Sequence, residues 1–310
     1  MYVLLLLAVL LGTSKNIFTK IVKNNTTNFC DTMKINVITF SCAFIVVFLM
    51  GLSSLNTMFQ VPWILVICYA VCTLGSQISL MKAVELGSVS ISSLFYSCGF
   101  ILPTLFGSIY YQEPLHTLHI IGIILIVCSF VCSAKREKDK PFKFSWLIAA
   151  LGGMFFSGMV GIMQKLFTND YTQYQLNNFL CVAFLLIILM SVLAVFISRL
   201  SNKQNQKQQS TASQTKGKKE NVLLIKQRIF TIALGCVMGL VNKANIYLSG
   251  ILPSVIVFPV INGGGILATT ICSRFIFKEK LSWAQKIGLL LGILGIISIT
   301  IGKLVIDYMR

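Results

Sequence analysis

The chain has 310 residues, of which 56% are hydrophobic and only 11% charged, with a formal net charge of +17. A soluble domain carries about 25% charged residues, so the medium around most of this chain is expected to be lipid. The excess of basic residues is scattered through loops and forms no stripe, which sets nucleic-acid binding aside.

Apolar stretches long enough to cross a hydrocarbon core of about 30 Å as helices recur at 2–23, 34–55, 62–84, 88–110, 114–134, 144–168, 173–198, 226–248, 253–277 and 281–306. The prediction is an all-α membrane protein of ten transmembrane helices. No short segments of alternating hydrophobicity occur, as a barrel would require. Span one begins at once and lacks a basic flank and a small-residue cleavage site, so it is expected to remain in the protein. Its polar residues are Thr13, Ser14, Lys15 and Asn16, with no carboxylate.

Span three carries Ser76, Gln77 and Lys82, followed by Glu85. Polar groups inside spans are costly and are therefore functional candidates, although Lys82 and Glu85, three residues apart, are equally suited to pairing with each other. In span four, Tyr96, Ser97 and Gly99 precede Pro103, which removes a backbone donor and is expected to bend or unwind the helix, with an ordinary packed kink as the alternative. Glu113, His116 and His119 open span five. The matching stretch in the second half keeps Glu279 but has Ser282 and Gln285 in place of both histidines, so the reading is an acidic helix start, not a metal site. Pairs such as Cys68/Cys72 and Cys128/Cys132 lie within apolar spans and read as small apolar side chains.

The run 135–143 joins two units, residues 1–134 and 144–310. Span six ends with Gln164 and Lys165. Residues 201–221 are polar and of low complexity, and read as a disordered basic loop. Span eight holds Asn242, Lys243 and Asn245; Lys243 has no acid within its own span, so its ammonium either snorkels to the interface or faces an aqueous cavity that attracts anions, and the bracketing amides favour the cavity. Span nine holds Pro259, Asn262 and the glycine run Gly263, Gly264, Gly265, where unwinding near mid-span is again expected. Small residues four apart, at Ser157/Gly161, Gly235/Gly239 and Gly288/Gly292, signal close helix packing and serve a homodimer seam or an internal contact equally well.

The halves repeat each other. Ser88-Val89, Gly99, Glu113-x-Leu115 and Gly122 recur 166 residues later as Ser254-Val255, Gly265, Glu279-x-Leu281 and Gly288. Five spans per copy is an odd number, which predicts two inverted five-helix repeats, the architecture of secondary transporters. Loop charges agree: 22 of the 26 Lys and Arg residues fall in or beside the loops following spans one, three, five, seven and nine. Basic loops stay in the cytoplasm, so both termini are predicted outside a multi-pass cytoplasmic (cell) membrane protein.

Two stretches close the fourth span of each copy: Gly107-Ser108-Ile109-Tyr110-Tyr111-Gln112-Glu113-Pro114-Leu115 and Arg274-Phe275-Ile276-Phe277-Lys278-Glu279-Lys280-Leu281-Ser282-Trp283. With Gly122 and Gly288 in the spans that follow, the chain resembles the EamA-like family of the drug/metabolite transporter superfamily over nearly its whole length. The resemblance implies a secondary carrier with its cavity between the repeats. Gly239-Leu240-Val241-Asn242-Lys243 also resembles a motif of nucleotide-sugar transporters in the wider superfamily. Better-known ten-span members have cytoplasmic termini, the reverse of what the loop charges predict here.

The expectation is thus an alternating-access carrier, not an enzyme, with no cofactor. Its expected substrate is a small organic solute, anionic or zwitterionic, bound by Lys82, Gln77, Tyr96, Asn242, Lys243, Asn245 and Asn262. Pro103, Pro259 and Gly264 are expected to shape the helices, and Glu113 and Glu279 to be structural at the interface. A non-transporting subunit of a membrane complex is the alternative. An exporter of drugs or organic cations would need an embedded acid, for which only Glu85 is placed.

Overall fold

The computed structural model describes residues 2–23, 29–51, 59–87, 89–133, 144–171, 175–205, 218–276 and 282–309. The described residues are helical, with no strand: α1 (Tyr2–Lys23), α2 (Phe29–Met50), α3 (Trp63–Leu86), α4 (Val89–Cys98), α5 (Ile101–Tyr110), α6 (Thr117–Ser133), α7 (Phe144–Asp170), α8 (Leu176–Asn205), α9 (Lys218–Ile251), α10 (Ser254–Ile276) and α11 (Trp283–Met309). Among the described residues, nine stretches are long and apolar enough to cross a membrane, and Thr117–Cys132 is a shorter apolar helix. The chain is therefore a multi-pass helical membrane protein. Large apolar side chains such as Leu6, Ile64, Ile109, Leu193 and Leu290 point outward, as they must when the surroundings are lipid.

The predicted spans become these helices with one division. Span four is two short helices, α4 and α5, separated at Gly99 and Phe100. Pro103 supplies the cause: it has no N–H for the carbonyl of Gly99, four residues earlier, and its ring crowds that carbonyl. The chain passes the gap with tighter i to i−3 bonds from Gly99 N–H to the Tyr96 carbonyl (3.2 Å) and Phe100 N–H to the Ser97 carbonyl (3.4 Å). Span nine behaves otherwise. Pro259 lies inside an unbroken α10, and the expected unwinding at the three glycines does not occur. Their bare surfaces are used for packing: Gly263 against Ile126, and Gly264 against Val9 and Ile296.

The expected loop at 201–221 is shorter than predicted, because α8 continues to Asn205 and α9 begins at Lys218. Residues 206–217, and the joining run 135–143, lie outside the described residues.

The most extensive packings join the first half of the chain to the second: α6 on α11, α3 on α7, α2 on α8 and α9, and α1 on α9 and α10. The small-residue spacings serve these internal contacts. A Cβ at Gly235 would stand 2.5 Å from the Thr39 carbonyl oxygen of α2, and one at Gly239 would stand 3.0 Å from that of Ala43. Gly161 admits the Pro103 ring, whose Cγ would lie 2.7 Å from an added Cβ. Gly235→Val is accordingly expected to cost roughly 1–3 kcal/mol through forced separation of α2 and α9. Gly12→Ala, where an added Cβ meets nothing within 4 Å, is the matched control. The comparison is read as the loss of monodisperse protein on heating in detergent; equal behaviour of the two variants would show that the α2/α9 seam is slack.

Candidate functional site

One end of the bundle is sealed and the other is less densely packed around α1. Residues 254–261 of α10 and 178–184 of α8 are all buried, whereas 14–21 of α1 are partly exposed at every position, on all faces of the helix. The polar residues of the interior are distributed along this gradient.

At the sealed end lies a buried ion pair. Lys165 Nζ stands 2.6 Å from Glu113 Oε1, with the two side chains only 7% and 11% exposed. Each partner also holds one side of the turn between α9 and α10. Pro253 has no N–H to offer the carbonyl of Ser249, four residues earlier, so this carbonyl at the negative end of α9 is free, and Lys165 donates to it at 3.0 Å. The first amide of α10, at the positive end of that helix, donates from Ser254 to Glu113 Oε2 at 2.6 Å. The cation thus rests on a helix C-terminus and the anion on a helix N-terminus.

Local backbone brings Glu113 there. After α5 the chain reverses through Gln112, the one non-glycine residue with positive φ (52°) among the described residues. The N–H groups of Tyr111 (3.2 Å) and Glu113 (3.3 Å) both donate to the Gly107 carbonyl. Gly107 itself has no room for a side chain, since an added Cβ would meet Ser254 Oγ at 2.5 Å and Glu113 Oε2 at 2.6 Å. The Tyr111 ring lies 5.8 Å from the Lys165 ammonium. Burial first, then the neighbouring Asp170, Tyr110 and Glu113, pushes the Tyr111 hydroxyl up to about 12, so it stays neutral beside the ion pair.

Further into the bundle, the hydroxyl of Tyr69 on α3, 1% exposed, donates to Asn242 Oδ1 on α9 at 2.8 Å. The Asn242 amide in turn donates to the Met238 carbonyl at 2.8 Å. Gln164 of α7 lies beside the same hydroxyl, with Tyr96 of α4 further off. The Tyr69 ring is held edge-on to Phe179 (5.4 Å), and Phe179 stacks on Phe167 (4.3 Å). Gln164 and Lys165 are consecutive and both buried, so α7 connects the central cluster to the ion pair.

The expected site residues are only partly gathered. Asn242 is central and Tyr96 borders it. Lys243 is half-buried and turns toward Cys181 of α8, with no carboxylate partner among the described residues. Asn245 is packed so that its Oδ1 is buried without a hydrogen-bond partner. Asn262 is exposed although its neighbours 258–261 and 263–265 are buried; its amide donates to the Phe258 carbonyl at 2.9 Å. Asn262 is eight residues from Ser254 and Asn242 seven from Ser249, so both lie about 10–12 Å below the ion pair at 1.5 Å per residue.

Lys82 is not brought to this cluster. It lies thirteen residues along α3 from Tyr69, about 20 Å, is exposed, and forms no ion pair with the equally exposed Glu85. Gln77 is partly buried, about 12 Å from Tyr69 along the same helix. Pro103 is buried against Gly161, and Gly264 acts in packing. Glu279 lies outside the described residues. The imidazoles of His116 and His119 accept the N–H groups of Leu118 and His116, each at 3.2 Å, and so cap the start of α6. No group of three or more His, Cys, Asp and Glu side chains suited to a metal occurs among the described residues.

Tyr69, Gln164, Lys165, Ser249 and Ser254 were not among the expected site residues, and Glu113 was assigned to the interface. The signals were present in the sequence: a lysine ending a span and a proline four residues after Ser249.

No family model and no curated protein matches the chain. A solved crystal structure, described only as that of a protein, superposes with a TM-score of 0.72 over 96% of each chain at 14% sequence identity. The similarity establishes a shared fold along essentially the full length.

Proposed function

We propose that this chain is a secondary carrier of the EamA-like type, built from two inverted five-helix repeats, that moves a small anionic or zwitterionic organic solute across the cell membrane by alternating access. The observation that carries the reading is the pattern of packing between the halves. Number the spans one to ten, with α4 and α5 together as span four. Exchanging each first-half span for its second-half counterpart turns the packing of three on six into that of eight on one. It likewise turns two on eight into seven on three, and one on nine into six on four, while two on seven, four on nine and five on ten return to themselves. A pseudo-two-fold duplication generates this pattern, and such repeats build their sites at the interface between the two copies.

Charge supports the choice of substrate. Lys15 and Lys243 lie within spans and have no carboxylate partner among the described residues, while the buried carboxylate of Glu113 is occupied by Lys165. An interior with unpaired ammonium groups and the amides of Asn242 and Gln164 favours an anionic group on the solute. Tyr69, Asn242, Gln164 and Tyr96 would provide its hydrogen bonds, with Lys243 and Asn262 bordering the space.

The test is counterflow in liposomes with a panel of anionic, zwitterionic and cationic metabolites. Exchange of anions or zwitterions is expected, falling at least about tenfold in Asn242→Ala and Lys243→Ala, as loss of a charge-assisted or buried hydrogen bond implies. Cation exchange indifferent to both substitutions would leave a carrier but remove this site. No exchange across the panel would favour the non-transporting subunit.

A further inference from the structure

Asn242, Asn245 and Ser249 succeed one another at three and four residues along one face of α9. The first accepts from Tyr69 and the last offers its carbonyl to Lys165. Between them, Asn245 Oδ1 is sealed from solvent without a donor. On α7, Gln164 and Lys165 are both buried, and Thr168 Oγ lies 3.5 Å from Ser249 Oγ. A polar seam therefore runs from the central cluster to the sealed end along the facing sides of α7 and α9. Buried amides without partners are rare in packed seams, because an unmade hydrogen bond in a low-dielectric interior is costly.

We propose that the Lys165/Glu113 pair is a gate and that this seam is the closed half of the solute path, with Asn245 a group that is hydrated or solvates the solute when the gate parts. The purpose of the gate rests on the alternating-access reading above; its opening does not, and is measured without any solute. Four segments meet at the pair: the turn after α5, the end of α7, the end of α9 and the start of α10. The pair spans the two halves of the chain, with Glu113 in the first and Lys165, Ser249 and Ser254 in the second. Opening must part Lys165 from Glu113 and from the Ser249 carbonyl, so the end of α7 has to leave both the turn after α5 and the end of α9. A latch of two charges suits that task, since each has a hydrated alternative when exposed and a close partner when shut. The sealed end is the one remote from the basic loops. By the charge rule it faces outward, so the pair closes the path on the outer side.

The experiment uses Ser249→Cys in the full chain in lipid nanodiscs, with the rate of reaction with a charged maleimide corrected for the native cysteines using protein without the added one. Ser249 is fully buried, so labelling reports opening. With the latch intact, labelling is expected to be slow but to reach completion, as for a minor open state in exchange with a closed one. Glu113→Gln and Lys165→Met are each expected to accelerate it about tenfold or more, and Glu113→Lys combined with Lys165→Glu to restore most of the protection. A cysteine that never reacts in the folded protein, or reacts at the same rate in monodisperse single variants, would overturn the gate. Failure of counterflow with gated labelling intact would instead count against the carrier reading alone.

Discussion

Glu113→Ala is expected to destabilise the protein by roughly 3–5 kcal/mol, the cost of stranding a buried charge after its partner is removed. Lys165 would keep the Ser249 carbonyl but lose its counter-ion, and the first amide of α10 would lose its acceptor. Adding Lys165→Met removes the stranded ammonium and replaces it with an apolar side chain of similar length, so the double variant is expected to regain more than half of the loss. The pair at Lys34 and Asp31 provides the contrast within the same molecule: its distance is 2.8 Å, yet both side chains are 47% exposed, and Asp31→Ala is expected to cost no more than about 1 kcal/mol. Unfolding midpoints in mixed micelles measure all four proteins. If Glu113→Ala and Asp31→Ala proved equivalent, the sealed end would have to be wet and the Lys165 pair could not be a latch.

Why this pair escaped a reading of the sequence, while the spans did not, follows from how each is encoded. Span boundaries are local: about twenty apolar residues bounded by charge. The helices α1 to α11 fall where hydropathy put them, and even the interruption of span four was readable from Pro103 and the glycine four residues before it. The three glycines of α10 carried the same local signature with the opposite outcome, because Val9, Ile126 and Ile296 close on them and make a continuous helix the better-packed solution. Tertiary contact decided the matter, and no window along the chain contains it. The same holds for the site. Lys243 and Asn242 were conspicuous as polar residues in an apolar span, and one of them is central. Tyr69 was not, since a tyrosine among aromatic and aliphatic residues reads as core until its hydroxyl is seen to meet Asn242, 173 positions away. Lys165 and Glu113 each stand near a span end, where a lone charge is unremarkable, and only the fold places them 2.6 Å apart. Lys82, a charge within a span, lies exposed toward the far end of α3 from Tyr69, a placement that its position in the sequence alone does not give.

Joining Thr168→Cys to Ser249→Cys by a disulfide is expected to abolish exchange, with recovery on reduction. The two hydroxyl oxygens are 3.5 Å apart, and longer carbon–sulfur bonds bring sulfur atoms at these positions within reach of a bond of about 2.05 Å. The bridge would tie the end of α7 to the end of α9 beside the Lys165 contact with the Ser249 carbonyl. In the proposed cycle these two helix ends must separate whenever the sealed end opens, because Lys165 cannot release Glu113 and the α9 turn while its own helix is fastened to that turn. An alternating-access carrier completes exchange only by visiting both states, so a lock on either one stops turnover entirely. Each single cysteine is expected to leave exchange within about twofold of the parent, since both residues keep a small side chain in place. Mass measurement under oxidising and reducing conditions confirms the bridge, and counterflow before and after reduction gives the result. Undiminished exchange in fully bridged protein would mean that α7 and α9 travel together, and would move the opening of the path to the other face of α7, where Gly158 and Gly161 meet the broken span four.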